Sequence, residues 1–392
     1  MNNQKYKRLI YLDNAATSFP KPRSVILGAC LGIKDYSGNP GRSSHTLSRR
    51  ASEAVFALRD SASRFFGTAG AERVIVTQNS THSLNLALNA LVGYSDGVLC
   101  SNIEHNAVRR VLLGLKRTRN IRIFQFDALG RDEDVLSRIE SILKAERIRV
   151  LVTTHASNVC SRVLPLNDIG ALCHSYGAFL VVDCAQSAGH TEICQEKNHA
   201  DALCISGHKG LFSPAGIGLL TVSERFCDAA LGSPVLITGG AGIDSLDEDM
   251  PSTFPERFEA GTQSAPLCLS LCRGIDFVRA HGIAKIHEKE LCLGRYAKRI
   301  LLSKKGVRLY REDLEGPILS FNLEGYSPEE LGACFDRHGI CLRAGLHCAP
   351  DAHARLGSLQ EFGGSVRLSL GFFNSYRDLD AFGEVLYSLP SK

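Results

Sequence analysis

Two polar side chains follow apolar runs that have the character of buried strands. Lys209 comes shortly after "ALCIS" (202–206), and Asp183 ends "FLVVD" (179–183). A lysine that is partly desolvated near other cations loses its proton readily, which suits Schiff-base formation. A carboxylate at a strand end can pair with a protonated ring nitrogen, as pyridoxal phosphate chemistry requires. Taken alone, Lys209 also fits a solvated surface lysine, and Asp183 also fits a structural or metal-binding aspartate.

A third group with chemical potential is Cys348, in the segment "RAGLHCAP" (343–350). Gly345 permits a bend, and Arg343 and His347 favour the nucleophilic thiolate if they also lie close in space. The alternative is that Cys348 is one more small apolar residue among fourteen cysteines. A metal site made of His347, Cys348 and His353 fits no standard ligand spacing.

The elements that would position these residues alternate between short apolar runs and longer amphipathic stretches. Seven apolar runs between residues 73 and 222 predict strands, and the stretch from Ser80 to Gly93 predicts a helix with Ser80 as its cap. This alternation predicts an α/β fold with a mostly parallel, doubly wound sheet, in which ligands bind at the carboxyl ends of the strands. We expect a large domain over 13–270 and a smaller α+β domain built from 1–12 and 271–392.

Composition excludes several functional classes. Hydrophobic residues make up 44% of the 392 residues, and 45 Lys+Arg against 41 Asp+Glu give a formal charge of +4. This balance gives no reason to expect nucleic acid or an anionic membrane as the main partner. Neither an apolar leader nor a run of about 18 apolar residues occurs, so we expect a cytoplasmic protein with reduced thiols. No C-x-x-C pair indicates a structural metal site, and we expect no bound metal.

Nine motifs in a consistent order give the chain a wider resemblance. It is similar to fold-type I pyridoxal-phosphate enzymes of the class V aminotransferase group, and among them to cysteine desulfurases. The short cysteine loop is most similar to the SufS/CsdA-like and selenocysteine lyase branch. The motifs are "YLDNAATSFPKP" (11–22), "GRSSHTLSRRA" (41–51), "EHNA" (104–107), "HASNV" (155–159), "DCAQ" (183–186), "SGHK" (206–209), "EAGTQ" (259–263), "RAGLHCAP" (343–350) and "VRLSLGFFN" (366–374).

The resemblance implies a role for each matching residue. Lys209 would bind pyridoxal 5'-phosphate covalently, Asp183 would pair with its ring nitrogen, and His105 would stack on the ring. The remaining cofactor-binding residues implied in this way are Gln186 and Asn158 near the phenolic oxygen, and Ser80, Thr81, Ser206, His208 and a second subunit's Thr262 around the phosphate. Arg367 matches the arginine that binds the substrate carboxylate, a role that suits the donor fork of guanidinium, with Arg343 and Asn158 as further substrate contacts. His82 departs from the family, which commonly has an acidic residue there.

The implied activity is removal of sulfur from L-cysteine, giving L-alanine and a persulfide on Cys348. Selenocysteine lyase activity is an alternative, because the two substrates differ by one chalcogen atom. Transamination, epimerisation or kynurenine-type cleavage would keep the cofactor and change the reaction, and a non-enzymatic sulfur-carrier scaffold would keep only the fold. The expected partners are a small-molecule substrate, a second copy of the chain in a homodimer, and a sulfur-acceptor protein.

Overall fold

The computed structural model describes residues 9–41 and 43–390. Residues 1–8 of the expected small-domain segment 1–12, and Arg42 of the "GRSSHTLSRRA" motif, lie outside the described residues. The strands are β1 (Ile10–Tyr11), β2 (Val74–Thr77), β3 (Gly97–Ser101), β4 (Arg122–Phe126), β5 (Ile148–Thr154), β6 (Phe179–Asp183), β7 (Ala202–Ser206), β8 (Gly218–Val222), β9 (Val307–Leu309), β10 (Ile318–Leu323), β11 (Ile340–Cys341), β12 (Arg343–Gly345) and β13 (Ser365–Ser369).

The helices alternate with these strands through most of the chain. They are α1 (Arg23–Asp35), α2 (Thr46–Phe66), α3 (Ser80–Leu91), α4 (Asn106–Arg119), α5 (Asp132–Ala145), α6 (Leu166–Ser175), α7 (Glu224–Leu231), α8 (Ala265–His281), α9 (Ile283–Ser303), α10 (Pro328–Arg337), α11 (Pro350–Leu356), α12 (Ser358–Phe362) and α13 (Tyr376–Ser388). Among the described residues, none of these helices combines the length and the apolar character that crossing a membrane requires.

The chain forms two compact units, whose limits differ from the expected domain boundaries. The large unit comprises Lys21–His155 and Leu164–Ile283, and the small unit comprises Ala156–Val163 with the described parts of 1–20 and 284–392. The boundary lies after Ile283 rather than after 270 because α8 packs on α1, where Ser270 donates a hydrogen bond to the Val25 carbonyl at 3.0 Å. Residues 13–20 and 156–163, which we expected in the large domain, belong to the small unit.

A seven-stranded sheet in the order β2-β8-β7-β6-β5-β3-β4 forms the centre of the large unit. The pairs from β7 through β6, β5 and β3 to β4 are parallel, as the alternation predicts, whereas β8 runs antiparallel to both β7 and β2. Every residue of β3, β6, β7 and β8 is buried, because helices cover both faces of the sheet. The side chains of Leu84, Leu88 and Leu91 on α3 join this core.

The small unit contains an antiparallel sheet in the order β12-β13-β10-β9 and a separate parallel pair of β1 with β11. Its core is formed by the apolar faces of β10, β13, α9, α10 and α13. The residues 156–163 are held here by Ser161, whose hydroxyl donates to the Gly316 carbonyl at 2.8 Å. Asn158 is therefore a residue of the small unit, and not of the unit that carries Lys209 and Asp183.

Candidate active site

The carboxyl ends of the central strands bring most of the predicted cofactor-binding residues to one edge of the large unit's sheet. Thr154, Asp183 and Cys204 lie side by side in the register of β5, β6 and β7. Ser206 ends β7, and His208 and Lys209 follow it directly. Because parallel strands end at the same edge, this edge is where an α/β sheet binds its ligand.

Asp183 is the buried carboxylate of this edge, with 3% of its surface exposed. Its Oδ1 accepts a hydrogen bond from the Ser80 hydroxyl at 2.9 Å and another from the Ala185 N–H at 2.9 Å. Both of these hydrogen bonds are on Oδ1, so Oδ2 is the oxygen on which Asp183 could accept a further N–H.

The N-terminus of α3 lies against this edge, but Asn79 rather than Ser80 caps the helix. The Asn79 side chain accepts from the His82 N–H at 2.9 Å, and such a cap stabilises a helix by about 1 kcal/mol. Ser80 is the first helical residue, and its hydroxyl instead contacts Asp183. Thr81 is exposed in the first turn, where free backbone N–H groups favour an anion. A side chain on Gly218 would lie 2.7 Å from the Asn79 Cα, so glycine permits this close approach.

His82, the departure from the family motif, lies in the same first turn. Its Nδ1 accepts from the Gln78 N–H at 3.2 Å, and burial lowers its pKa. Within the described residues its Nε2 is buried with no hydrogen-bond partner. His82 and Thr262 line one cavity of about 170 Å³ in the large unit, which places Thr262 on the same side of α3 as His82.

Lys209 lies in a cluster of positive charge. Burial, followed by the positive charges of Lys209 and Lys21, lowers the pKa of His208 to about 4. Lys21 donates from Nζ to the His208 carbonyl at 3.0 Å, and burial lowers its pKa to about 8. Sequence reasoning did not single out Lys21, although it lies within the first motif. The charges of Lys209 and Lys21 therefore both act on His208, which places two basic side chains next to this strand end.

The remaining large-unit residues predicted for the cofactor have less direct support. His105 is the N-cap of α4, where its Nδ1 accepts from the Ala107 N–H at 3.0 Å. Gln186 lies three residues after β6, on the same sheet edge as Asp183. Their roles toward a cofactor ring stay predictions.

Glu104, next to His105, is a residue that sequence reasoning passed over. It is fully buried and accepts hydrogen bonds from the Ser101 hydroxyl, from the Thr153 hydroxyl at 3.2 Å and from the Thr154 N–H at 2.9 Å. These bonds tie the loop that carries His105 to the carboxyl end of β5. Burial raises the pKa of Glu104 to about 7, and the nearby charge of Asp183 acts in the same direction.

Stability should therefore depend on pH through Glu104. Between pH 4.5 and about 7 the folded protein holds a proton that the unfolded chain has released, so raising the pH through this window destabilises the fold. Relative to Glu104→Gln, the free energy of unfolding of the wild type should fall by roughly 3 kcal/mol across it and stay constant above it. Urea unfolding of both proteins at several pH values measures the difference, and a flat or rising difference would contradict the prediction.

In the small unit, two arginines face each other across the sheet. Arg343 on β12 is directly opposite Arg367 on β13. Arg367 is 1% exposed. It donates hydrogen bonds to Asp13 at 2.7 Å and to the Asn158 carbonyl at 3.1 Å. Its buried Nε has no hydrogen-bond partner within the described residues. Like charges opposite each other destabilise a sheet, and Asp13 offsets only one of them. The pair therefore favours binding of a further anion such as a carboxylate.

Cys348 lies in a tight turn beside this arginine pair. The Ala349 N–H donates to the Leu346 carbonyl at 2.9 Å, and the two central residues, His347 and Cys348, have φ of 48° and 58°. Each such non-glycine residue costs of order 1–3 kcal/mol, a strain that is typical of functional sites. Arg343 donates to the Cys348 sulfur at 3.8 Å, so a guanidinium group lies within hydrogen-bonding reach of this sulfur.

Asn158 supports the turn from the other side, since its amide donates to the His347 carbonyl at 2.7 Å. The structure thus links Asn158 to the cysteine loop and to Arg367 within the small unit. Gly364 allows β13 to begin close to β12, because a side chain there would lie 2.8 Å from the Gly345 backbone.

The other thirteen cysteines have different surroundings, and all fourteen, which lie in the described residues, are free thiols. Seven are buried: Cys100, Cys160, Cys173, Cys184, Cys204, Cys268 and Cys334. Burial raises the pKa of Cys173 and of Cys268 to about 12, which disfavours the thiolate. Cys292, by contrast, is exposed on α9. Among the described cysteines, Cys348 alone combines a strained turn with an arginine donor.

Pyridoxal phosphate fits the residues at the large unit's sheet edge. The buried Asp183 accepts its two hydrogen bonds on Oδ1, so Oδ2 is the oxygen suited to a ring N–H, and Lys209 provides the amine that can bond to an aldehyde. The helix N-terminus at Thr81 and the hydroxyl of the buried Ser206 provide donors suited to a phosphate. The donor set therefore matches the aldehyde, the pyridine nitrogen and the phosphate of this cofactor.

Comparison with known proteins supports the same assignment. The model of the family "Aminotransferase class-V" matches residues 10–382. A probable cysteine desulfurase of Methanothermobacter thermautotrophicus is 31% identical, over 96% of this chain and 94% of that protein. A probable cysteine desulfurase of Mycolicibacterium paratuberculosis is 32% identical but longer, so that this chain spans 54% of it.

Among solved structures, the apo structure of cysteine desulfurase from Thermococcus onnurineus superposes with a TM-score of 0.86 at 30% identity, covering 97% of this chain and 94% of that one. This similarity confirms the predicted fold-type I architecture, with its mostly parallel central sheet. The chain therefore belongs to the class V aminotransferase family and, within it, to the cysteine desulfurases.

Proposed function

We propose that this protein is a pyridoxal 5'-phosphate-dependent enzyme that removes sulfur from L-cysteine, giving L-alanine and a persulfide on Cys348. The observation that carries the proposal is the arrangement in the small unit, where Cys348 receives a hydrogen bond from Arg343 and Arg367 lies opposite that arginine. A cysteine that accepts a hydrogen bond from one arginine, with a second arginine opposite the first in the sheet, suits a substrate that has both a carboxylate and a sulfur atom.

The cofactor would be held by residues of the large unit. Lys209 would bind it covalently and Asp183 would accept the ring N–H on Oδ2. His105 would stack on the ring, Gln186 would lie near the phenolic oxygen, and Ser80, Thr81, Ser206 and His208 would surround the phosphate. When bound, pyridoxal phosphate withdraws electrons from the substrate and so makes its Cα proton acidic.

The protein's own groups would carry out the remaining steps. Arg367, with Arg343, would hold the substrate carboxylate, and the amine of Lys209 would take the Cα proton once it is released. The Cys348 thiolate would then attack the substrate sulfur. A bond forms between the two sulfur atoms while the Cβ–S bond of the substrate breaks, Cβ takes up a proton to become the methyl group, and Lys209 returns a proton to Cα to complete alanine. The substrate sulfur remains on Cys348 as a persulfide.

The same proposal extends to assembly and location. We propose a cytoplasmic homodimer in which Thr262 of the partner subunit contacts the cofactor phosphate, and a sulfur-acceptor protein that receives the persulfide sulfur. All fourteen cysteines lie in the described residues and none is in a disulfide, which is typical of proteins from a reducing compartment.

The reaction can be tested with the cofactor-loaded protein. With L-cysteine and a thiol reductant we expect one alanine for each sulfide released, whereas amino acids without a sulfur or selenium atom should give less than about 1% of that rate, because Cys348 has no atom to attack. Keto-acid or racemised products would instead indicate another class V reaction. Parallel kinetics with L-selenocysteine separate the remaining alternative, since a higher kcat/KM for selenocysteine would make the protein a selenocysteine lyase.

A further inference from the structure

Next to Cys348 lies a row of buried, hydrogen-bonded side chains, His347, His353 and Ser358, that the proposed reaction does not use. His347 Nε2 lies 3.2 Å from the Arg343 carbonyl, and His347 Nδ1 lies 3.0 Å from His353 Nε2. His353 Nδ1 lies 2.7 Å from the Ser358 hydroxyl. His347 is 3% exposed, and His353 and Ser358 are fully buried, so these side chains depend on one another for hydrogen bonds.

The Arg343 carbonyl, at one end of this row of hydrogen-bonded side chains, sets the donor and acceptor in each bond between them. The Arg343 carbonyl only accepts, so His347 donates from Nε2 and, as a neutral ring, accepts on Nδ1. His353 must then donate from Nε2 and accept on Nδ1 from the Ser358 hydroxyl, for which the His353 carbonyl at 3.3 Å is a second, longer acceptor. Both rings are neutral, since burial and then the positive charge of Arg367 lower the pKa of His347 to about 2 and that of His353 to about 4.

One member of this row of side chains, His347, also belongs to the backbone of the strained turn. His347 and Cys348 both have positive φ, a conformation that non-glycine residues adopt only when their surroundings impose it. The side chain of His347 is held by His353, and its carbonyl is held by Asn158 at 2.7 Å. Without His353, the His347 ring would lose the hydrogen bond to its Nδ1 and would keep only the bond from Nε2 to the Arg343 carbonyl, so one constraint on the turn would be removed.

We propose that His353, supported by Ser358, is a positioning residue that holds His347 and thereby keeps Cys348 in its strained turn. His353 acts on the reaction only through the geometry of the turn. The kinetic consequence rests on the function proposed above, whereas the structural consequence does not.

Four variants of the cofactor-loaded protein test this inference. His353→Leu removes both hydrogen bonds at similar volume, and His353→Gln keeps an N–H donor toward His347. Ser358→Ala removes only the final donor and keeps the test available if His353→Leu does not fold. His338→Leu is the matched control, because His338 is an exposed histidine of the same unit that bonds only to its own helix, at the Cys334 carbonyl.

We expect hydrogen exchange of the Ala349 amide in His353→Leu to be about tenfold faster than in the wild type. The kcat for alanine formation from cysteine should fall about tenfold, with KM within about twofold because Arg367 is unchanged. Ser358→Ala should shift both measurements in the same direction, and His353→Gln and the control should stay within about threefold of the wild type.

An unchanged exchange rate of the Ala349 amide in His353→Leu would overturn the inference. An equal acceleration of amide exchange in β9 and β10 would also overturn it, because it would indicate that the whole unit is destabilised. Failure of His353→Gln to restore the wild-type values would also overturn it. If Cys348 proves dispensable for turnover while Ala349 exchange responds as expected, the proposed function fails and the positioning role stands.

Discussion

Replacing Cys348 by serine is expected to lower alanine formation from L-cysteine by at least about a thousandfold. A serine hydroxyl has nearly the same size as the thiol, but it is a far weaker nucleophile and cannot store sulfur as a persulfide. Cofactor binding should be unchanged, because the residues proposed to hold the cofactor lie in the large unit and Cys348 lies in the small one. The measurements are alanine release under steady-state conditions, and the visible absorbance of the bound cofactor in both proteins.

The control for this variant is Cys341→Ser. Cys341 is a half-buried cysteine on β11 of the same unit, and burial raises its pKa, which disfavours the thiolate. Its replacement should leave the rate within about twofold of the wild type. Mass spectrometry after one turnover without reductant should find one added sulfur atom on the peptide that contains Cys348. A wild-type rate in Cys348→Ser would exclude the persulfide mechanism.

Replacing Arg367 by lysine is expected to raise KM for L-cysteine about a hundredfold, with a smaller effect on kcat. Lysine keeps the positive charge beside Asp13, which limits the loss of stability, but an ammonium group cannot offer two parallel N–H donors to a carboxylate. Arg367 already uses donors on Asp13 and on the Asn158 carbonyl, so only a side chain with several donors in a plane can also bind a substrate. Initial rates over a range of cysteine concentrations separate KM from kcat.

A matched control is Arg308→Lys, since Arg308 is an exposed arginine on β9 that pairs with Glu361 at 2.6 Å. That variant should have wild-type KM, because surface ion pairs contribute little. If Arg367→Lys lowers kcat at unchanged KM, the arginine does not bind the carboxylate of the ground-state substrate, and the role proposed for it is wrong.

The apolar runs of the sequence predicted the central sheet well, because strands that are buried on both faces carry little else. β7 has the predicted bounds, and Asp183 ends β6 as expected. The cap of α3 was wrong because Asn79 and Ser80 are both good capping residues, and only the hydrogen bond from Ser80 to Asp183 distinguishes them. That bond joins residues 103 positions apart, which no local pattern contains.

Features that depend on long-range contacts could not be derived from the sequence. Asn158 belongs to the small unit because Ser161 and Arg162 bond to residues near 315, far along the chain. Glu104 gave no signal, since a glutamate before a helix usually faces solvent. A glutamate three positions after a strand-end serine, as in "SNIEH" (101–105), is a pattern that could have indicated a buried carboxylate.

The short turn around Cys348 has a consequence for how sulfur leaves the protein. Leu346–Ala349 is closed by its own hydrogen bond, with β12 directly before it and α11 directly after it. Four residues span at most about 14 Å even when fully extended, and the folded turn spans far less. A sulfur atom bound to Cys348 would therefore be transferred from almost the same position at which Cys348 received it, so the acceptor must bind next to Cys348. Small thiols, or a protein that presents its own cysteine on a slender projection, should therefore be better recipients than a broad, flat protein surface.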